Sequence, residues 1–190
     1  MDENTWQTFA KDAPGLPAEV RKESREKGVW SRMHRKVRDV DIWVVAVRGY
    51  SLSAGGGTTP VAHVGVHLRP THVTPGLPNI CLRPRTPLGN FLKGHGVRWG
   101  FGPGTADARF DRTYRIYSWH PAQALPLLTE RVRADTLEHA DNGWWLRRGT
   151  LSVYPHHSRD KASISKDRYN AFVRLAKNLT GAPDSPPQAE

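Results

Sequence analysis

Apolar and polar positions change rhythm along the chain, and each rhythm predicts an element. Asp39 to Leu52 (DVDIWVVAVRGYSL) is crowded with β-branched and aromatic residues and predicts a strand. Its apolar run Ile42–Val47 is unbroken, so both faces of that strand need cover. Trp30–Val37 precedes it as a partner strand, with the turn near Arg38-Asp39. Ala54–Pro60 (AGGGTTP) reads as a connection, and Val61–Leu68 (VAHVGVHL) alternates. Val64, Val66 and Leu68 then share one face, and His63, Gly65 and His67 the other. Two antiparallel strands joined by the glycine-rich connection are the simplest arrangement.

Asn79–Arg83 is a short strand closed by Pro84 and Pro87, Leu88–Leu92 a helical turn, and Gly94–Gly104 a glycine-rich loop holding Trp99 and Phe101. Arg112–Trp119 alternates again, with Tyr114, Ile116 and Ser118 on one side. Ala18–Lys27 predicts a short charged helix. Pro17 stands in its first turn, Gly28 at its stop, and Val20 is its one apolar anchor. Pro121 opens a helical region that Pro126 interrupts, and Thr129 caps a further piece, Glu130–His139. After the turn Asp141-Asn142-Gly143, Trp144–Leu146 and Thr150–Tyr154 form a hairpin through Arg148-Gly149. Ser165–Leu179 sets Tyr169, Phe172, Ala176 and Leu179 at helical spacing, with Gly181 as its stop. Burying those four side chains contributes on the order of 5–8 kcal/mol before entropy is subtracted.

These elements predict an α+β fold: one domain over 17–181, with a mostly antiparallel sheet and a C-terminal amphipathic helix packed on it. A flexible arm, 1–16, precedes it, with Trp6 and Phe9 as docking points. A polar, proline-rich tail, 182–190, follows as a disordered segment.

Composition narrows the class. In 190 residues, seven Trp, five Tyr and five Phe supply a core although hydrophobic residues are 37% and mean hydropathy is −0.61, so collagen-like, coiled-coil and wholly disordered chains are excluded. Lys and Arg number 28 against 18 Asp and Glu, a net +10, which points to an anionic partner. Cys81 is the single cysteine, so no intrachain disulfide forms and a reducing compartment suits the chain. Met1–Gly15 lacks the apolar stretch of a secretory signal, and the longest charge-free stretch, Gly49–Leu68, is too rich in glycine and histidine to span a membrane. The expected location is cytoplasmic.

Phe110-Asp111-Arg112 before a strand, then Leu127-Leu128-Thr129 at a helix start, Gly143-Trp144-Trp145 and a Gly-Thr-Leu turn at 149–151 resemble an uncharacterised, largely actinobacterial family. Many proteins of that type are similar to cytosolic domains attached to N-terminal membrane helices. This sequence has no such helices, so that attachment does not carry over. The resemblance spans roughly residues 29–180, implies the α+β layout, and brings no reaction, ligand or catalytic residue with it. Phe110, Asp111 and Arg112 read as a structural joint, with Phe110 entering the core and the other two fixing the loop before the strand.

The candidate chemistry is cationic. Arg32, His34, Arg35, Lys36 and Arg38 fall together, and Arg83, Arg85, Arg147 and Arg148 add to them. Cations near phosphates gain affinity by releasing counterions, Arg forks pair bidentately with phosphate, and interleaved rings stack on bases. On a strand, Arg32, His34, Lys36 and Arg38 share one face and Arg35 takes the other; the competing account is a charged edge strand that resists aggregation. The expectation is a non-enzymatic anion-binding domain with nucleic acid as first partner and acidic protein or an anionic lipid surface behind it. Two rivals remain: a small hydrolase using His63, His67 or His120 with an Asp, and an assembly subunit with a Trp-rich interface.

No cofactor or metal is expected. His63 and His67 stand ~13 Å apart on an extended strand, and His156-His157 has no ligand spacing around it. The glycine runs at Ala54–Gly57 and Gly100–Gly104 are not followed by a phosphate-binding helix, and no Gly-x-Ser-x-Gly elbow is present. Ile80-Cys81-Leu82 reads as buried apolar chain, and Trp144-Trp145 as core packing with one ring on each sheet face.

Overall fold

The computed structural model describes residues 5–37, 39–52, 58–85, 104–154 and 165–181. Arg38, Ala54–Gly57, Leu88–Leu92, the Gly94–Pro103 stretch, His156-His157 and the tail 182–190 lie outside the described residues.

Among these residues eight strands form one antiparallel sheet: β1 (Gln7–Thr8), β2 (Val29–Val37), β3 (Val40–Leu52), β4 (Thr58–Pro70), β5 (Ile80–Pro84), β6 (Tyr114–Ser118), β7 (Trp144–Arg147) and β8 (Thr150–Val153). Their spatial order is β1-β2-β3-β4-β8-β7-β5-β6. Among the described residues five α-helices accompany them: α1 (Ala18–Ser24), α2 (Ala108–Thr113), α3 (Pro121–Ala124), α4 (Glu130–His139) and α5 (Lys166–Thr180). The fold is α+β, with α5 packed on the sheet as the sequence predicts.

The register explains why Ile42–Val47 is apolar throughout. Val40, Ile42 and Ala46 join Val66, Leu68, Leu82, Trp144, Leu151 and Phe172 in the main core beneath α5. Trp43, Val45 and Val47 face the other way and meet Leu16 and Val20, with Phe9 and Ala13 alongside. The arm crosses the outer edge of the sheet: Gln7 and Thr8 pair with His34 and Met33. Trp6 thereby reaches the main core while Phe9 reaches the smaller cluster.

Helix boundaries follow local chemistry. Thr129 Oγ1 accepts from the Val132 amide at the start of α4, and Ser165 Oγ accepts from the Arg168 amide at the start of α5. α5 ends at Gly181, which adopts the left-handed conformation. Phe172, Ala176 and Leu179 are fully buried, Leu175 joins them, and Tyr169 is half-buried. α1 is shorter than the predicted 18–27. It stops at Ser24, and the chain turns so that the Arg48 amide donates to the Gly28 carbonyl at 2.9 Å, binding the turn to β3. Phe110-Asp111-Arg112 lies in the short helix α2 rather than a loop, because Asp107 accepts from the amides of Arg109 and Phe110. Phe110 enters the core, as expected of it.

Candidate functional site

Strand register assigns each cation to a sheet face. Arg32, His34 and Lys36 pair with Val45, Trp43 and Asp41, so they share the α1 side, and Arg35 pairs with Ile42 on the α5 side. All but Lys36 are engaged in holding the fold. The Arg32 guanidinium donates twice to the Ser24 carbonyl, at 3.1 and 2.8 Å, closing the end of α1. His34 stacks on Trp43 and stands 3.0 Å from Asp41 Oδ1. Arg35 lies over both Trp6 and Tyr169, at 5.6 and 5.5 Å from the ring centroids, and fastens the arm to α5. Lys36 is exposed.

The other cations converge differently. His67 pairs with Ser152, Ser152 with Trp145, Trp145 with Cys81, and Cys81 with Tyr117. That row runs across the α1 side of the sheet. Beside it, on the same side, stand Arg147 on β7, Arg83 on β5 and Arg115 on β6. Arg147 and Arg83 both lie over the Trp145 ring, at 4.6 and 5.5 Å from its centroid. Arg83 and Arg115 are direct cross-strand partners. Like charges directly opposite on neighbouring strands repel, so Arg83 and Arg115, with Arg147 at the Trp145 ring, concentrate positive charge on this part of the sheet face. Trp145 is held in turn by Tyr154, edge-on at 6.4 Å. The expectation of one ring on each face is met: Trp144 is fully buried and donates its Nε1–H to Thr136 Oγ1.

Arg85 and Arg148 stand at the margin. Arg85 Nε donates to the Tyr114 carbonyl, and Arg148 occupies the β7–β8 turn with its amide on Asn79 Oδ1. The eight sequence candidates among the described residues therefore do not make one patch. The β2 set and the Trp145 set share a sheet face but are four strand spacings apart, roughly 19 Å, with α1 seated on β3 and β4 between them. Arg115 and Tyr117 were not among the sequence candidates. The alternation of 112–119 did carry their signal, since both occupy the positions that face away from Tyr114, Ile116 and Ser118.

Cys81 lies under this group and is buried. Burial pushes its thiol up, against the opposing pull of Arg83 and Arg147, so the sulfur stays protonated and unreactive at neutral pH.

The histidines behave otherwise. His67 is fully buried, with Nε2 2.9 Å from Glu23 Oε2 and Nδ1 2.9 Å from Ser152 Oγ. Serine, histidine and carboxylate stand in line, but Ser152 is 1% exposed and a substrate has no route to its hydroxyl in this arrangement. The carboxylate is a glutamate from α1, not the aspartate the sequence pointed to. His63 shares the strand face of His67, and His120 is exposed at the start of α3. Trp30 and Trp119, the large exposed apolar residues among those described, stand towards opposite ends of the strand order. A cavity of about 350 Å³ over Thr71, His72, Val73, Thr74 and Gly181 contains none of the candidates. Among the described residues no helix is long and apolar enough to cross a membrane, and no group of three or more His, Cys, Asp or Glu gathers to hold a metal ion.

No family model, curated protein or solved structure matches this chain. The site rests on its own geometry.

Proposed function

We propose that this chain is a non-enzymatic, cytoplasmic domain that binds nucleic acid through the Trp145 group. The observation that carries the reading is the pair of guanidinium groups, Arg83 and Arg147, over one indole ring, with Arg115 directly across from Arg83. Cation–π contact holds both side chains over the ring, and a guanidinium fork matches the geometry of phosphate oxygens. Among the described residues no carboxylate pairs with Arg83. The net charge of +10 draws a polyanion to the surface before any specific contact is made.

Fluorescence anisotropy with labelled oligonucleotides tests this. Affinity should fall steeply between about 50 and 200 mM salt, with a log–log slope near −2 for a single strand if each of the three arginines takes one phosphate. Arg83→Ala with Arg147→Ala should weaken binding at least about tenfold and flatten that slope. Binding that is absent at low salt, or untouched by the double variant, removes the proposal. Polyglutamate of matched charge is the comparison for an acidic protein partner.

A further inference from the structure

We infer that the polyanion-binding surface continues past Arg83 onto a second cluster, Arg85, Arg109 and Arg112, at the junction of α2 with β6, and that the ligand is a run of backbone phosphates rather than a single nucleotide. This rests on the nucleic-acid reading of the Trp145 group, and deepens it by naming where the backbone of the ligand is held.

Strand pairing builds the cluster. Two residues beyond Arg83, the Arg85 amide donates to the Thr113 carbonyl at 2.8 Å, and Arg85 Nε donates to the Tyr114 carbonyl at 3.1 Å. That sets the Arg85 guanidinium where α2 hands over to β6, close to Arg112 in the chain. Arg109 and Arg112 are three apart on α2 and share one side of it, while Phe110 enters the core. All three arginines are exposed. Arg112 Nε donates to the Ala108 carbonyl of its own helix at 3.1 Å. Arginine heads held at Nε lose less freedom when the fork meets a phosphate.

The neighbouring carboxylates are committed elsewhere. Asp111 Oδ1 accepts from the Thr105 amide and hydroxyl, both at 2.9 Å. Asp107 caps α2 and meets Arg133 Nε at 3.4 Å. Among the described residues no carboxylate pairs with Arg85, Arg109 or Arg112. In the sequence no Asp or Glu lies between Asp41 and Asp107, and the connection from Arg85 to Gly104 adds Lys93 and Arg98. The positive charge here is therefore left for an outside anion. From Arg83 to Arg109 the path is two strand residues, one strand spacing and one helical turn, roughly 17 Å. Cations spread over that distance match successive phosphates of one backbone.

The intact chain is titrated with labelled thymidine oligomers of about three and about twelve nucleotides, between about 50 and 200 mM salt. The longer oligomer should bind at least about tenfold more tightly, with a log–log slope near −4 where the Trp145 group alone gives about −2. The triple variant Arg85→Gln, Arg109→Gln, Arg112→Gln should remove most of that gain and return the slope to about −2, with the short oligomer unaffected. Lys11→Gln, Lys27→Gln and Lys36→Gln together take the same charge from the β1–β2 edge and should leave the longer oligomer's slope in place. Arg109→Glu decides the matter if the triple variant unfolds. Its side chain makes no hydrogen bond or ion pair among the described residues, and the first turn of a helix accepts a glutamate. It should weaken the longer oligomer about fivefold. Binding untouched by the triple variant and by Arg109→Glu, or lowered equally by the lysine variant, overturns the inference and leaves the nucleic-acid reading standing. Polyglutamate of matched charge that binds as tightly as the longer oligomer, and is weakened equally by the triple variant, overturns it in favour of an acidic protein. Failure of both oligomers to bind at low salt overturns the inference and the reading it rests on.

Discussion

Nε2 of His67 stands 2.9 Å from Oε2 of Glu23, joining β4 to α1 through a pair sealed from solvent. The Tyr154 hydroxyl reaches the same carboxylate oxygen at 3.4 Å, and the other imidazole nitrogen meets Ser152. Gly65 makes the approach possible, since a Cβ there would overlap the Glu23 carboxyl group. Glu23→Ala leaves Nε2 of a buried imidazole unpartnered and should cost about 3 kcal/mol, read as a shift of the urea midpoint. Gly65→Ala should also destabilise, and adding Glu23→Ala to it should cost less than the sum of the two, because the clash is then gone.

The main core offers a second test. Phe172 is fully buried between α5 and the sheet. Phe172→Ala should cost about 3–5 kcal/mol, and Phe172→Asp should unfold the chain or loosen its packing. Thermal melts followed by circular dichroism measure both, and a melt unchanged by Phe172→Asp would refute the packing of α5.

The β7–β8 turn stores strain at a named residue. Arg148 has φ of 48° and Gly149 of 74°, the two left-handed positions of a two-residue hairpin turn. Glycine and asparagine accept that conformation more readily than arginine. Arg148→Asn should therefore raise stability by about 0.5–1 kcal/mol, seen as a higher urea midpoint with an unchanged slope.

Alkaline pH should unfold the chain through its tyrosines. Burial pushes Tyr114 up from 10.0 to about 12, with the Asp141 charge adding to it. Burial first, and then Glu23, raises Tyr154 as well. A group whose folded value is raised lends stability that is complete below its unfolded value and lost as pH rises through the folded one. Melting temperature should hold up to about pH 9 and fall from pH 10 towards 12. Tyr114→Phe removes one titrating group along with its bonds to the Thr136 and Ala140 carbonyls. That variant should start less stable and decline more gently across the same range.

What the sequence made legible was whatever depends on neighbours in the chain. Alternation set the faces of Val64, Val66 and Leu68, Thr129 announced α4, and Gly181 marked the end of α5. The two-sided apolar run Ile42–Val47 foretold cover on both faces, though not that residues of the arm would supply part of it. Contacts set by sheet order stayed hidden. α1 looked weakly held because Val20 is its one apolar anchor, yet Glu23 on its inner side bonds to a histidine far along the chain. The basic residues were countable, but their grouping was not. β8 and β7 are inserted between β4 and β5, and that order carries Arg83 and Arg147 to Trp145 and away from the β2 set.

One consequence follows from how the strands are joined. β1 to β4 pair among themselves within residues 7–70, and β5 to β8 within 80–153. The seam between these halves is three residue pairs, Val66–Val153, His67–Ser152 and Leu68–Leu151. The β2–β3, β3–β4 and β7–β8 pairs close locally, whereas β5 finds β6 and β7, and the seam finds its partners, only through distant encounters. α5 lies across both β4 and β8 and so bridges the seam. Undocking α5, as Phe172→Asp should, would leave the two halves joined by three residue pairs alone.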